Sequence, residues 1–457
     1  MGLSKIVGCC CKMRHWSATA AVIMLFRILS SCAVIAFTLR LPSFAEDQTI
    51  VGRGNQRAAA IAQKSPLIRS AMDLLRQQAE RIGDAKLKRE TLDAFANPSA
   101  CIAHRAGLSD HDKTVIVRRL SDAGLINAAD GAAFPGGPEA GVFPAVRDDG
   151  GPCPHLPMLF EAAPGSVFGG HHSYPGGLAM HEAFNDISDL SLAADYRMAY
   201  GHLDGTGLPS LDLTSSAPFG QADGGLRIDE DLIISAPIWH DWGKVLVFQW
   251  NADGTEFGEL NFGGNGATDN YGAKGDSRTP GHHIIGLAES IKRDLSPALV
   301  ITQASAHAAP TLGDEYKVVN WIRAAAIMAR IDPVAAGYLE RDATGKLRLP
   351  ALGATGSFDF RSAKSSPTYF LPEYTIHNLS DANYFLSVPA GFNLGLVLEK
   401  LAPEFGFDPA DRARFNNEFR NPVFSYLSAE RLAFIYTRGG IRDLRVEVQH
   451  LRKMHLI

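Results

Sequence analysis

Six side chains in the middle of the chain have the chemistry needed to share metal ions. Imidazole and carboxylate groups both bind Zn, Fe and Mn. Each of these residues falls in a segment that is otherwise apolar or small on its packing face, where an isolated polar group would be costly to bury without a partner. A shared metal would satisfy all of them together. The candidate ligands, in chain order, are His181, His240, Asp241, His282 or its neighbour His283, His307 and Asp332.

The adjacent pair His240–Asp241 is the centre of this pattern, within the segment HDWGK. A neighbouring His and Asp can bind one metal from a single turn, and the carboxylate of Asp241 could bridge two ions. Lys244 follows three residues later, nearly one helical turn away, so its ammonium can point into the same site. Asp241 and Lys244 are therefore our predicted catalytic residues.

The ligands are predicted to be carried by helices. His181 lies within an amphipathic segment, and His282 falls in the first turn of a segment that starts after Pro280. His307 and Asp332 each stand at the end of an apolar helical segment. This pattern predicts a mainly α fold with the site at its centre.

The rest of the chain divides into further predicted regions. Residues 46–150 read as helices followed by a Gly- and Pro-rich connection, and residues 346–457 as a mixed but mostly helical region. Residues 151–345 between them would hold the metal site. Inside that region, 245–262 alternate between apolar and polar residues around Asp253–Gly254, which predicts an inserted β-hairpin.

The stretch 171–339 resembles the HD superfamily of all-α, metal-dependent phosphohydrolases. The matching segments, in order, are HHSYPGGLAMH, HDWGK, GHHIIG, SAH and ARIDP, and the first three are most similar to HD nucleases and phosphodiesterases. The resemblance implies an HD-type helical core and the same six metal ligands. Between the neighbours His282 and His283 it favours His282, which stands four residues before Gly286 as in the HxxxG spacing of the family.

The resemblance also implies a cofactor and a substrate. One or two divalent ions are expected, with no distinction between Mn, Fe, Zn, Ni and Mg, and Lys244 falls where family members hold a substrate phosphate. His171 and His172 are predicted either to contact substrate or to cap the following Gly–Pro turn. After His307 the chain reads Ala308–Ala309–Pro310, which departs from the motif of cyclic dinucleotide phosphodiesterases and disfavours that subfamily.

Three functions are compatible with this pattern. The leading expectation is hydrolysis of a phosphate ester, a phosphomonoester or phosphodiester that includes nucleotides, at a dinuclear metal site. The same ligand order is similar to that of HD-type di-iron oxygenases, which act on small polar substrates. The third alternative is a non-catalytic HD module that senses a ligand, although its complete ligand set argues against degeneracy.

The first 45 residues are predicted to be an export signal. A basic start leads into an apolar run and then to small residues at Ser43 and Ala45, so cleavage is expected near Ala45 and the protein in the periplasm or outside the cell. Translation could also start at Met13 or Met24. No later stretch is expected to span a membrane. Cys101 and Cys153 would remain in the mature chain, either as a disulfide or as two unpaired thiols.

The net charge of the chain indicates which class of binding partner is expected. The formal net charge is −5, so no global basic field is present to capture a nucleic-acid polymer. A small phosphorylated molecule is the expected partner, and the sequence does not indicate an oligomeric state.

Overall fold

A computed structural model describes residues 51–211, 226–263, 277–312, 314–351 and 371–457. The protein is mainly helical with two small antiparallel sheets, which confirms the predicted mainly α class. Residues 49–457 form one compact unit that includes the three regions predicted after the leader. The predicted signal segment 1–45 lies outside the described residues.

The helices are as follows. The N-terminal ones are α1 (Asn55–Lys64), α2 (Pro66–Arg81), α3 (Ala85–Ala96), α4 (Asp110–Asp122), α5 (Ala128–Ala133) and α6 (Gly137–Val142). The central ones are α7 (Gly177–Tyr200), α8 (Glu230–His240), α9 (Lys244–Val247), α10 (Gly281–Lys292), α11 (Pro297–Ser305) and α12 (Glu315–Ala329). The C-terminal ones are α13 (Pro372–Asp381), α14 (Tyr384–Leu401), α15 (Arg412–Phe415), α16 (Asn421–Leu427) and α17 (Ala429–Lys453), the last kinked at Gly440.

The centre of the fold is formed by helices that are buried on every side. All residues of α8 from Leu232 to His240 are buried, and so are all residues of α10 from Gly281 to Ile291. A helix that is apolar all round belongs inside a protein. Helices α7, α11 and α13 pack around α8, and α12 packs along α10. The predicted ligands on α8 and α10 are therefore carried into the interior.

The predicted β-hairpin is confirmed only around its turn. Trp250 and Glu256 form an isolated antiparallel bridge across Asp253–Gly254. The residues before it form α9 instead of a strand, because their apolar side chains are all buried and do not alternate between two faces. The end of the segment, β1 (Asn261–Phe262), pairs with β2 (Thr279–Pro280).

The second small sheet follows α12. Strand β3 (Glu340–Arg341) pairs antiparallel with β4 (Leu347–Arg348), with Glu340 opposite Arg348. Both strands come after the segment that holds the predicted ligand Asp332.

The helical segment Pro372–Phe405, which comprises α13, α14 and the 3-10 turn that follows, is long and apolar enough to cross a membrane by length and composition alone. The sequence had predicted no such stretch after the leader. Half of its most apolar window is buried inside the protein (50%), as is common for a core helix of a folded domain.

Cys101 and Cys153 form a disulfide, which decides between the two alternatives that the sequence left open. Their Cα atoms are 5.6 Å apart, and the bridge closes a loop with a sequence separation of 52. The two residues meet because the segment around His155 pairs with that of Cys101 through an antiparallel bridge.

Replacing both cysteines with serine should destabilise the protein. A disulfide that closes a loop of this length reduces the conformational entropy of the unfolded chain. We therefore expect the free energy of unfolding of the double variant to be lower than that of the oxidised protein by about 2–4 kcal/mol. Urea unfolding of the double variant beside the oxidised protein measures this. The reduced wild type is the control and should match the variant. Equal midpoints for all three samples would show that the bridge does not stabilise the fold.

Candidate metal centre

The side chains that form the site come from six places in the chain. Helix α7 contributes His181, the end of α8 contributes His240 and Asp241, and α9 begins with Lys244. The first turn of α10 contributes His282. His307 follows α11, and Asp381 is the last residue of α13.

Glycines allow these segments to approach one another. A Cβ at Gly243 would lie 2.1 Å from the carbonyl oxygen of His282, so only glycine lets the His–Asp turn rest against the start of α10. A Cβ at Gly177 would lie 1.8 Å from the carbonyl oxygen of His172. The glycines of the HDWGK and PGGLAMH segments therefore serve close backbone packing at the site.

Asp241 is the centre of the cluster, and each of its carboxylate oxygens faces a different set of imidazoles. Its Oδ2 lies 3.1 Å from His181 Nε2 and 3.4 Å from His240 Nε2. Its Oδ1 lies 3.0 Å from His282 Nε2. Asp241 also forms an ion pair with the ammonium of Lys244, which is buried. The carboxylate thus lies between two groups of nitrogen atoms.

Three groups of possible ligand atoms occur among the described residues; one consists of His171, His172 and His181, and the other two are subsites that share Asp241. One subsite contains His181, Glu182, His240 and Asp241, and the other contains Asp241, His282 and His307. Within each subsite these atoms lie within 4.8 Å of one another. Such an arrangement can hold one ion on each side of a bridging carboxylate.

Asp381 completes the first subsite. Its Oδ1 lies 3.2 Å from His181 Nε2 and 3.4 Å from His240 Nε2, and it accepts a long hydrogen bond of 3.5 Å from the amide of Asn185. The sequence interpretation missed this residue. Its signal was the segment HNLSD, in which His377 and Asp381 stand four residues apart on one face of α13.

The prediction that Asp332 belongs to this cluster is corrected. Asp332 is exposed, and its carboxylate accepts hydrogen bonds from the backbone N–H groups of Val334 and Ala335. Helix α12 ends at Arg330 in a left-handed conformation (φ 59°), so the chain turns away before Asp332. The carboxylate caps that turn and lines a separate, arginine-rich cavity.

The neighbours His282 and His283 differ in surroundings. His282 faces Asp241 and lines the cavity of the site. His283 is buried, and its ring lies 4.3 Å from the ring of His307, with both ring nitrogens lacking a hydrogen bond. The structure therefore brings His282, and not His283, against the central carboxylate.

His171 and His172 also differ. His171 lines the cavity, and its Nε2 lies 3.4 Å from Lys244 Nζ. His172 adopts a positive φ of 52° and turns its Nε2 to within 3.2 Å of a carboxylate oxygen of Glu430. Of the two predicted substrate contacts, only His171 faces the cavity.

Hydrogen-bond acceptors beside His240 and His282 fix the orientation of these two imidazole rings. His240 Nδ1 lies 2.9 Å from the carbonyl oxygen of Pro237, which can only accept, so this nitrogen carries the proton. His282 Nδ1 likewise donates to Glu259 Oε2 at 2.8 Å. The Nε2 of each ring points towards Asp241, which is how histidine ligands are oriented in metal sites.

The buried polar atoms of the cluster fit a bound cation. His240 Nε2, His282 Nε2 and both carboxylate oxygens of Asp241 are buried and have no hydrogen-bond partner of adequate geometry. Atoms of this kind are seldom left unsatisfied in a folded protein. Nitrogen and oxygen atoms in this combination could hold a divalent metal ion.

The electrostatics of the cluster also favour cations. Burial alone would raise the pKa of Asp241, but His240, Lys244 and His282 hold it well below its usual range. Burial would lower the pKa of His240, yet Asp241 and Glu182 raise it well above its usual range. A site that holds protons on buried imidazoles is one where a divalent ion can replace them.

A further layer of buried acids lies against the imidazoles. Burial raises the pKa of Glu182 to about 7, opposed by His240 and His181. Burial and the neighbouring Asp189 raise the pKa of Asp186 to about 8. His377 Nδ1 lies 3.0 Å from Asp189 Oδ2, and its ring lies 4.8 Å from that of His240. Glu182 and His377 therefore contact the imidazole of His240 directly, and the sequence interpretation assigned neither residue a role.

The site opens into a cavity of about 470 Å³. Its polar lining includes Asp241, Lys244, Glu259, His282 and Asp381, and its aromatic lining consists of Phe248, Tyr384 and Phe385 besides histidines. This volume suits a small molecule with an anionic group at the polar end.

No family model, curated protein or solved structure matches this chain.

Proposed function

We propose that this protein hydrolyses a phosphate ester, a phosphomonoester or phosphodiester, at an HD-type site for one or two divalent metal ions. The observation that carries the proposal is the position of Asp241, whose two oxygens face two separate groups of imidazoles. The proposed ligands are His181, His240, Asp241, His282, His307 and Asp381.

In the proposed site two ions would be bound, one on each side of Asp241. His181, His240 and Asp381 would hold one ion with Asp241 Oδ2, and His282 and His307 would hold the other with Oδ1. Divalent ions at these positions would supply a water nucleophile at neutral pH and neutralise charge on the phosphoryl oxygens.

Lys244 would bind a non-bridging phosphoryl oxygen. Its ammonium is held at the cavity wall by Asp241 on one side and lies beside His171 on the other. Burial and the Lys244 charge lower the pKa of His171 well below its usual range, so His171 is neutral and can accept from the ammonium. A fixed cation next to the metal subsites stabilises charge that develops on the phosphoryl group.

Replacing Lys244 with methionine should impair catalysis while the ions stay bound. Methionine keeps most of the side-chain volume but removes the cation, so kcat/KM should fall by roughly 10²–10³-fold. Steady-state kinetics and metal analysis of the same preparation measure both quantities. Lys244→Arg is the control and should recover part of the rate. A fully active methionine variant would remove Lys244 from the mechanism.

The experiment that tests the proposed function combines metal analysis with two assays. The purified protein is analysed by plasma mass spectrometry and offered p-nitrophenyl phosphate and bis(p-nitrophenyl) phosphate, with oxygen uptake followed in parallel. Release of nitrophenol that is lost on chelation and restored by a divalent ion is the expected result. Oxygen consumption by an iron-loaded protein that hydrolyses neither ester would instead favour the oxygenase alternative.

A further inference from the structure

Helix α14 presents an apolar stripe to the solvent. Phe385, Phe392 and Leu396 are 71%, 43% and 44% exposed, and Pro389 between them is also exposed. Their spacing of four, three and four residues places them on one face of the helix. The opposite face, which includes Leu394 and Leu398, is buried in the protein.

The helix has no charge on either face over most of its length. Residues 382–398 contain no Asp, Glu, Lys or Arg. Surface helices of globular proteins normally carry charged residues opposite their buried face. Contiguous exposed aromatic and aliphatic side chains are typical of surfaces that bind a protein, a membrane or an apolar ligand.

The stripe begins at the mouth of the metal centre. Tyr384 and Phe385, whose rings stack with centroids 4.6 Å apart, line the same cavity as Asp241 and Lys244. The cavity is therefore polar at the cluster and aromatic where α14 starts. A ligand with its phosphate at Lys244 would have the rest of its structure directed along these rings.

The loop beside the cavity extends the apolar surface. Phe168 is 41% exposed, and a Cβ at the adjacent Gly169 would lie 3.9 Å from Phe392 Cδ2. Ser166, from the same loop, lines the cavity. The apolar surface thus continues from the cavity mouth onto both α14 and this loop.

We propose that the α14 stripe lies on a lipid surface and that the substrate is a lipid phosphoester, an inference that rests on the proposed phosphohydrolase function. The phosphate would enter the polar end of the cavity, and the apolar chain would lie along Tyr384 and Phe385. A helix that lies in the plane of a lipid interface buries the side chains of its exposed apolar face at the boundary with the acyl chains. The continuity of the stripe with the cavity is what connects the surface to the substrate.

The test compares lipid and soluble versions of the same phosphoesters. Phosphatidylcholine vesicles, with and without phosphatidic acid, provide the lipid esters. Glycerol 3-phosphate and glycerophosphocholine are the matching soluble ones. The wild-type full chain should sediment with the vesicles, and its kcat/KM for the lipid ester should exceed that for the soluble ester by at least about tenfold, because the chain adds apolar contact.

The variant that isolates the stripe is Phe392→Ser/Leu396→Ser, since neither residue lines the cavity. It should lose vesicle binding and lipid hydrolysis by about tenfold or more, while hydrolysis of the soluble ester and the melting temperature stay unchanged. Tyr200→Ser is the matched control. Tyr200 is 70% exposed at the far end of α7, roughly 28 Å from His181 by helical rise, and its variant should behave as the wild type.

Three outcomes would overturn the inference. A wild type that hydrolyses the soluble esters but does not bind vesicles would refute it and leave the proposed function standing. A wild-type dimer that the double variant converts to a monomer, without vesicle binding, would assign the stripe to a second copy of the chain. Vesicle binding without hydrolysis of any ester would refute the proposed function and the lipid substrate together.

Discussion

Replacing Asp241 with asparagine is expected to lower turnover by roughly a thousandfold or more and to remove both metal ions. Asparagine keeps the shape of the side chain but not its charge, and its nitrogen cannot act as a ligand. Both subsites depend on this carboxylate, because Oδ2 faces His181 and Oδ1 faces His282. Metal content by plasma mass spectrometry and initial rates of ester hydrolysis measure the effect.

A control for this variant is available on the same helix. Asp231 stands near the start of α8, where its carboxylate accepts from the backbone N–H groups of Gly83 and Asp84. Asp231→Asn removes the same charge from α8 without touching the cluster, so it should keep both ions and the rate. Normal metal content in the Asp241 variant, with circular dichroism showing a folded protein, would contradict the bridging role.

Replacement with asparagine should lower metal content and turnover at Asp381 but leave both unchanged at Asp332. Asp381→Asn removes a carboxylate oxygen that lies 3.2 Å from His181 Nε2. We expect it to lose the ion of that subsite while His282 and His307 retain the other, so that metal content falls by about half and the rate by about 10²-fold or more. Asp332→Asn should change neither, because Asp332 is exposed and caps a turn.

The same metal analysis and rate measurements decide the comparison. Equal losses in both variants, or a loss in the Asp332 variant alone, would return Asp332 to the ligand set. The melting temperature should be recorded as well, because His181 and His240 lose a buried anionic partner in the Asp381 variant. Removing one partner of a buried pair is destabilising by itself, and added metal should restore part of the difference if the remaining subsite still binds.

The parts of the site that lie close together along the chain could be predicted from the sequence. His240, Asp241 and Lys244 are near neighbours, so their arrangement follows from a helix end and one further turn. The glycines of the same segments are required because neighbouring backbone carbonyls lie where a Cβ would be. Local geometry of this kind depends on few residues and is readable without knowledge of the whole fold.

At the predicted hairpin, the spacing of apolar residues did not identify the correct secondary structure. Residues 245–247 are apolar and adjoin an alternating segment, so they resemble a strand, yet they form α9 with every side chain buried. Periodicity reports the burial of one face only when the other face is exposed to water. Residues 245–247 are all buried, so they have no exposed face with which a buried face could alternate.

The helical class and five of the six residues that we propose as ligands could be predicted from the sequence, because they depend on residue chemistry and local spacing. The sixth, Asp381, comes close to the others through contacts between helices that are distant in the sequence. Asp332 and Asp381 both stand near the end of a helix, and nothing local distinguishes them. The packing of α13 against α7 and α8 brings Asp381 to His181 and His240, whereas the turn after α12 leaves Asp332 in solvent. The disulfide between Cys101 and Cys153 was decided in the same way, by contacts between segments distant in sequence.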